Sequence, residues 1–278
     1  MLSLIICSRT PKIHPKLEDN IQSTIGLEFE LIVIDNSKND YSIFSAYNEG
    51  VSRSKYPYLC FMHEDILYHT KDWGKNIVDH FRNDKVGLVG VVGSHFMPNT
   101  PCGWNTQKVS CNIIQRIHTA DGYKTEHWDK RNYMNDSLSA EVVVVDGVWF
   151  CIRKSLFPSI SFDEKLFKGF HCYDMDICLQ VRKIGSSVVV VSDVLLEHIS
   201  EGSFNDDWIR DTNKLHEKWK DFLPQIADIL MSEEEIIERT ESVTNIFRLK
   251  EEIMRIRNSK AFRLGRFILQ PIKNIKNK

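Results

Sequence analysis

Apolar residues fall along this chain in short, nearly unbroken runs, and segments with a wider rhythm lie between them. Residues 2–8 (LSLIICS), 29–37 (FELIVIDNS), 57–65 (PYLCFMHED) and 86–94 (VGLVGVVGS) are four such runs. Each is short and closed by polar residues or a turn, which predicts strands buried on both faces. Between them, residues 43–54 (IFSAYNEGVSRS) and 72–82 (DWGKNIVDHFR) have helical spacing. The runs at 140–157 (AEVVVVDGVWFCIRKSLF) and 186–198 (SSVVVVSDVLLEH) resume the strands. They flank an amphipathic helix at 173–185 (YDMDICLQVRKIG), with Gly185 as its stop signal. A last helix of the body covers 205–223, opened by Asn205 or Asp206 as cap. This alternation predicts an α/β protein with a mostly parallel sheet flanked by helices. Residues 97–140 break the rhythm. They are polar, rich in Asn, Trp and His, and read as a long insertion of loops and short strands.

Composition changes this picture little. The 278 residues, 42% hydrophobic and 27% charged, fit one large domain with an appendage. No run approaches the roughly 20 apolar residues of a membrane helix. The opening LSLIIC is too short for a secretion signal and has no cationic lead, so a cytoplasmic location is expected. Seven cysteines without a CxxC pair suggest neither a disulfide framework nor a zinc knuckle. Charge does matter. From residue 248 onward the chain carries ten basic and two acidic side chains, whereas the whole chain is −2. The expected division is therefore an acidic α/β domain over 1–225 and a helical, basic, amphipathic extension over 226–278. The acidic body opposes nucleic-acid binding.

In open α/β sheets, ligands sit beyond the carboxyl ends of the strands. Those ends hold Ser8-Arg9-Thr10, Asp35-Asn36-Ser37, His63-Glu64-Asp65 and Glu197-His198. Carboxylates there suit Mg²⁺ or Mn²⁺, with substrate phosphates completing the shell. A solvated acidic loop is the plain alternative. Asp35 has the Asx-turn as its alternative, Arg9 an ordinary loop, and Asn48 a local side-chain bond. Asp146 faces an acceptor or a diphosphate, or makes a turn. Trp149 lines a pocket or belongs to the core. Asp174 and Asp176 stand about 200° apart on a helix, so one works while the other caps or pairs. At the helix start, first-turn N–H groups favour an ionised Asp174.

The order of these segments resembles family 2 glycosyltransferases, with the GT-A fold of nucleotide-diphospho-sugar transferases. VIDNS resembles the strand-end acid that holds the nucleotide base. AYNEGVSRSKYPYLCFMHEDI resembles the Asn-containing helix and the strand that ends in the metal-binding acidic motif. VVDGVWFCIRKSLF and FDEKLFKGFHCYDMDICLQVRKIG resemble the acceptor-side block with its catalytic base, and HISEGS the late histidine of the metal shell. The resemblance covers roughly residues 2–205.

It implies a metal-dependent, inverting transfer of a sugar from a UDP- or dTDP-sugar to a hydroxyl of a bacterial surface or lipid-linked glycan. Asp174 would be the base. Asp65 and His198 would hold Mn²⁺ or Mg²⁺, and Arg9, Asp35, Asn48, Glu64, Asp65 and Asp146 would hold the donor. Two positions depart from the family pattern. His63 replaces the first aspartate of the acidic motif, and Tyr173 replaces the glutamate before the base. These departures keep a degenerate nucleotide-sugar-binding scaffold in play, beside a sugar nucleotidyltransferase. Residues 248–278, with Phe262, Leu264, Phe267, Ile268 and Leu269 among cations, have the composition of an interfacial helix. Peripheral contact with the inner face of the plasma membrane and packing on the body or on a twin subunit are the two expectations for them.

Overall fold

The computed structural model describes residues 1–106, 108–119, 121–131, 134, 137–200, 202, 204–227 and 229–264. In chain order the first elements are β1 (Leu2–Ser8), α1 (Pro15–Thr24), β2 (Phe29–Asp35), α2 (Ile43–Arg53), β3 (Tyr58–Met62), β4 (Ile66–Tyr68), α3 (Trp73–His80) and β5 (Val86–Gly90). Then come β6 (Val92–Ser94), β7 (Phe96–Met97), β8 (Val109–Thr119), β9 (Gly122–Lys130), β10 (Ser139–Val142), β11 (Val144–Val145) and β12 (Trp149–Arg153). The last are α4 (Tyr173–Lys183), β13 (Ser187–Val191), β14 (Leu196–His198), α5 (Asp206–Trp219), β15 (Gln225–Ile226) and α6 (Glu233–Asn258).

Seven strands form the main sheet in the order β10-β13-β5-β12-β3-β1-β2. β1 runs parallel to both β2 and β3. β12 lies antiparallel between β3 and β5, and β13 is again parallel to β5. The expected α/β class and mostly parallel sheet are therefore present, with β12 and the edge strand β10 reversed. β1 explains the unbroken apolar runs. Leu2, Leu4 and Ile6 pack on the α1 and α3 side, while Ile5 packs against α2 on the other. With both faces covered, no alternation survives in the sequence.

Local chemistry sets the helix ends. Ser42 caps α2 by accepting from Ser45 N, and Asn205 caps α5 by accepting from Trp208 N at 2.8 Å. Gly185, at φ 85°, ends α4 in the left-handed region that glycine tolerates. α1 was not expected from periodicity. Its sequence signal was Pro15 at the first helical position, behind a His14 cap that accepts from Lys16 N.

Three predicted strands split. The chain passes from β5 to β6, from β10 to β11 and from β13 to β14 by leaving the main sheet for a second one, ordered β11-β6-β8-β14-β4. The insertion also differs from expectation. Instead of short strands it contains the long hairpin β8–β9, paired from Cys111 opposite Lys130 to Thr119 opposite Gly122. α6 lies against the body through buried Val243 and Phe247. Among the described residues, no helix is long and apolar enough to cross a membrane. Phe267, Ile268 and Leu269 of the expected interfacial segment lie outside the described residues.

Candidate active site at the strand ends

Backbone pairing builds this site. Beyond β3, His63 N donates to Val148 O at 3.0 Å and Ile199 N donates to Asp65 O at 3.0 Å. The antiparallel pairing of β14 with β4 sets His198 opposite Ile66, beside Asp65. Residues 135 apart in sequence thereby meet. One atom each of His63, Asp65 and His198 lies within 4.8 Å of the others, and Asp65 Oδ1 is 3.8 Å from His63 Nδ1 and from His198 Nε2.

Hydrogen bonds fix how the two imidazoles present themselves. Tyr173 donates its only O–H proton to Gly147 O at 3.0 Å, so its oxygen accepts from His63 Nε2 at 2.9 Å. A neutral His63 then carries its lone pair on Nδ1, facing Asp65. Gln115 Nε2 donates to Arg116 O and Ser200 O at 2.9 and 2.8 Å, which fixes its amide and makes Oε1 the acceptor for His198 Nδ1 at 3.1 Å. The lone pair of His198 is thus on Nε2, also facing Asp65. Burial, reinforced by the neighbouring His198, pushes the His63 pKa down and favours the neutral ring. Burial pushes Asp65 upward, but a hydrogen bond from Ser200 and both histidines outweigh it and hold its carboxyl below the ordinary range. Two imidazole lone pairs converging on a carboxylate are mutually repulsive unless a cation or protons lie between them. This donor set, with each imidazole oriented through its other nitrogen, fits a divalent metal ion.

The second half of the site is the start of α4. Asp174 is 8% exposed. It accepts from Gly147 N through Oδ2 and from Met175 N through Oδ1, both at 2.9 Å. The expectation that the helix start keeps it readily ionised needs correction. Burial, and then the charge of Asp146, outweigh those N–H groups and raise its pKa to about 7. Asp146, half-buried, accepts from Val148 N two residues on at 2.8 Å, the turn that was one of its two expected roles. Asp176 pairs, as its opposite face requires. It accepts from Trp219 Nε1 and Gln180 Nε2 at 2.8 Å each and meets Lys218 Nζ at 2.8 Å.

On the donor side, the β1–β2 register sets Ser8 beside Asp35, and Ser8 Oγ donates to Glu64. Arg9 follows on an exposed loop, its N–H 3.4 Å from Glu64. Asp35 is exposed and accepts from Ser37 N at 2.9 Å, the Asx-turn geometry, which holds its carboxyl below the usual range. Arg9, Asp35, Glu64, Asp65 and Asp146 thus share the carboxyl-end rim. Asn48 stands apart. Its amide exchanges two bonds with the Phe162 backbone, at 3.1 and 2.8 Å, and cross-links α2 to that loop. Trp149 belongs to the core, fully buried, with Nε1 on Tyr68 Oη at 2.8 Å.

The glycosyltransferase-like family model matches residues 3–221. This chain belongs to that family. The enzyme is a transferase, and its family implies a nucleotide-sugar donor and a glycan acceptor. An open reading frame of the ATP synthase subunits region of Fuscovulum blasticum, ORF 6, is 22% identical over 209 residues, covering 70% of this chain and 73% of that protein. Among solved structures, GalNAc-T7 with UDP, GalNAc and Mn²⁺ aligns at 12% identity and TM-score 0.49, covering 75% of this chain and 44% of that one. S. aureus TarS 1–349 aligns at 12% and 0.47, covering 92% and 73%. A197 from STIV aligns at 12% and 0.43, covering 72% and 86%.

The sequence of this glycosyltransferase marks His63 as a strand-end residue and a departure from the acidic motif but gives it no ligand role, because its meeting with His198 depends on the fold. Phe170 was not singled out at all. Phe170 is 45% exposed, with its ring 6.4 Å from His63 and edge-on to Tyr173. An aromatic residue four positions before the expected base was the only hint of it.

Proposed function

We propose that this glycosyltransferase transfers a sugar with inversion, in a single displacement, from a UDP- or dTDP-sugar to a hydroxyl of a glycan acceptor. The observation that carries this reading is the convergence of two oriented imidazoles on Asp65, with the Tyr173–Asp174 helix start adjoining them through Gly147. His63, Asp65 and His198 would hold a divalent cation. Two imidazoles among three donors suit Mn²⁺ better than Mg²⁺. When bound, the cation supplies positive charge to offset the leaving diphosphate. Asp35 and Arg9 bind the nucleotide along the rim. Asp174, its pKa near neutral, accepts the proton of the acceptor hydroxyl as that oxygen attacks the anomeric carbon. The exposed face of Phe170 offers an apolar platform for a sugar ring.

The two departures from the family pattern favour activity over a degenerate scaffold, because Tyr173 orients His63 toward Asp65. The basic tail suits a lipid-linked acceptor of polysaccharide biosynthesis at the inner membrane face.

The test is a panel of UDP- and dTDP-sugars with Mn²⁺, Mg²⁺ or a chelator, read by thermal stabilisation and by nucleoside diphosphate release. Stabilisation and release that need the metal are expected. Equal stabilisation in chelator would refute the metal assignment. Release of pyrophosphate instead would mark a nucleotidyltransferase, and no product with any donor a binding scaffold.

A further inference from the structure

The sequence pattern of the extension mixes two faces of one helix. Val243 and Phe247 of α6 are buried against the body, while Ile246, Leu249, Ile253 and Ile256 are 43–59% exposed. At 3.6 residues per turn the exposed four lie about 120° around the helix from the buried pair. Their spacing of three, four and three residues is that of alternating a and d positions in a heptad. The structure therefore separates a body-facing edge from an unbroken apolar seam of two heptads, which ends where Lys260 takes the next a position.

The charges beside this seam decide what covers it. With Ile246 and Ile253 at a, the g positions are Glu238, Asn245 and Glu252, and the last two e positions are Lys250 and Arg257. Lys250 is committed to the body, its ammonium 3.4 Å above the Phe204 ring. Arg257 and Glu252 stand on opposite flanks of the seam. In a parallel pair of helices, g of one heptad faces e of the next on the partner, so Glu252 meets Arg257 of the second copy on both sides. An antiparallel pair sets like flanks together, Glu252 against the acidic flank. An anionic membrane would face Glu238 and Glu252 along one whole side, which opposes binding there. The body and the seam point away from each other, so two bodies related by a two-fold axis along the helices fall on opposite sides of the pair.

We infer that the exposed seam of α6 joins two copies of this chain as a parallel two-helix coil, registered by reciprocal Glu252–Arg257 pairs. Light scattering behind size exclusion should give a mass that rises with concentration from 32.4 kDa to twice that value. Leu249→Asp with Ile253→Asp should hold it at the monomer value, with the melting temperature that the wild type shows when dilute enough to be a monomer, because both side chains face solvent in the single copy. Glu252→Lys or Arg257→Glu alone should weaken pairing, and the double variant should restore it. A wild-type mass that stays at 32.4 kDa at every concentration overturns the proposal. So does a double charge swap no better than the single ones, which would remove the parallel register. Flotation with phosphatidylserine vesicles that the Leu249/Ile253 variant loses, in a protein that stays monomeric, would assign the seam to a membrane instead.

Discussion

The first turn of α4 carries two aspartates two residues apart, and its two faces treat them in opposite ways. Asp176 points to α5, where Trp219 and Lys218, with Gln180 from the next turn of α4, satisfy both oxygens. Asp174 points to the sheet, where two backbone N–H groups share the space with another carboxylate, Asp146. Burial raises the pKa of both. Only Asp176 has a cation to set against that cost. An acid that stays uncompensated beside a like charge stores the tendency to take a proton, and that is the property a general base needs. Neighbours, rather than the residue type or its place on the helix, separate the paired carboxylate from the one we propose as the base.

The sharpest way to break this contrast is to neutralise each side in turn. Asp174→Asn should lower kcat by about 10²–10⁴-fold, while metal-dependent thermal stabilisation by the nucleotide persists. Normal turnover in that variant would reassign the base. Asp176→Ala should cost about 1–3 kcal/mol of stability, measured by denaturant unfolding, by leaving Trp219 Nε1 without its acceptor, while Lys218 keeps Asp163. Activity per folded molecule should hold, and a stable but inactive variant would erase the contrast. Tyr173→Phe removes the phenol that orients His63 and should weaken Mn²⁺ binding by about tenfold, read by titration without substrate. Unchanged affinity would mean that His63 needs no such support. The smallest effect is a pH profile. A raised pKa leaves Asp174 protonated at low pH, so kcat/KM should climb by about tenfold per unit below neutrality and level off above pH about 7. A plateau already reached at pH 5 would place the working base elsewhere.

Much of the α/β body was legible because buried strands leave continuous apolar runs and end in polar turns. Asp35, Glu64, Asp65 and His198 fell at such ends, so the rim could be read before the fold was known. The reversal of β12 could not, since Val142–Val145 look alike whichever way the chain then turns. β9 was hidden for a different reason. Nearly all of its residues are exposed on both faces, so it has no alternation to betray a strand. His63 and Phe170 depend on contacts between segments more than a hundred residues apart, and local pattern does not contain them.

Gly147 stands where two supports of the site meet. Its N–H holds Asp174, its carbonyl takes the Tyr173 proton, and a Cβ at this position would sit 2.3 Å from the Tyr173 hydroxyl oxygen. Two successive peptide planes, joined at an unbranched Cα, thereby brace Asp174, the base we propose, and, through a phenol, His63, a metal ligand we propose. A side chain added at Gly147 would push on that phenol and disturb both supports together.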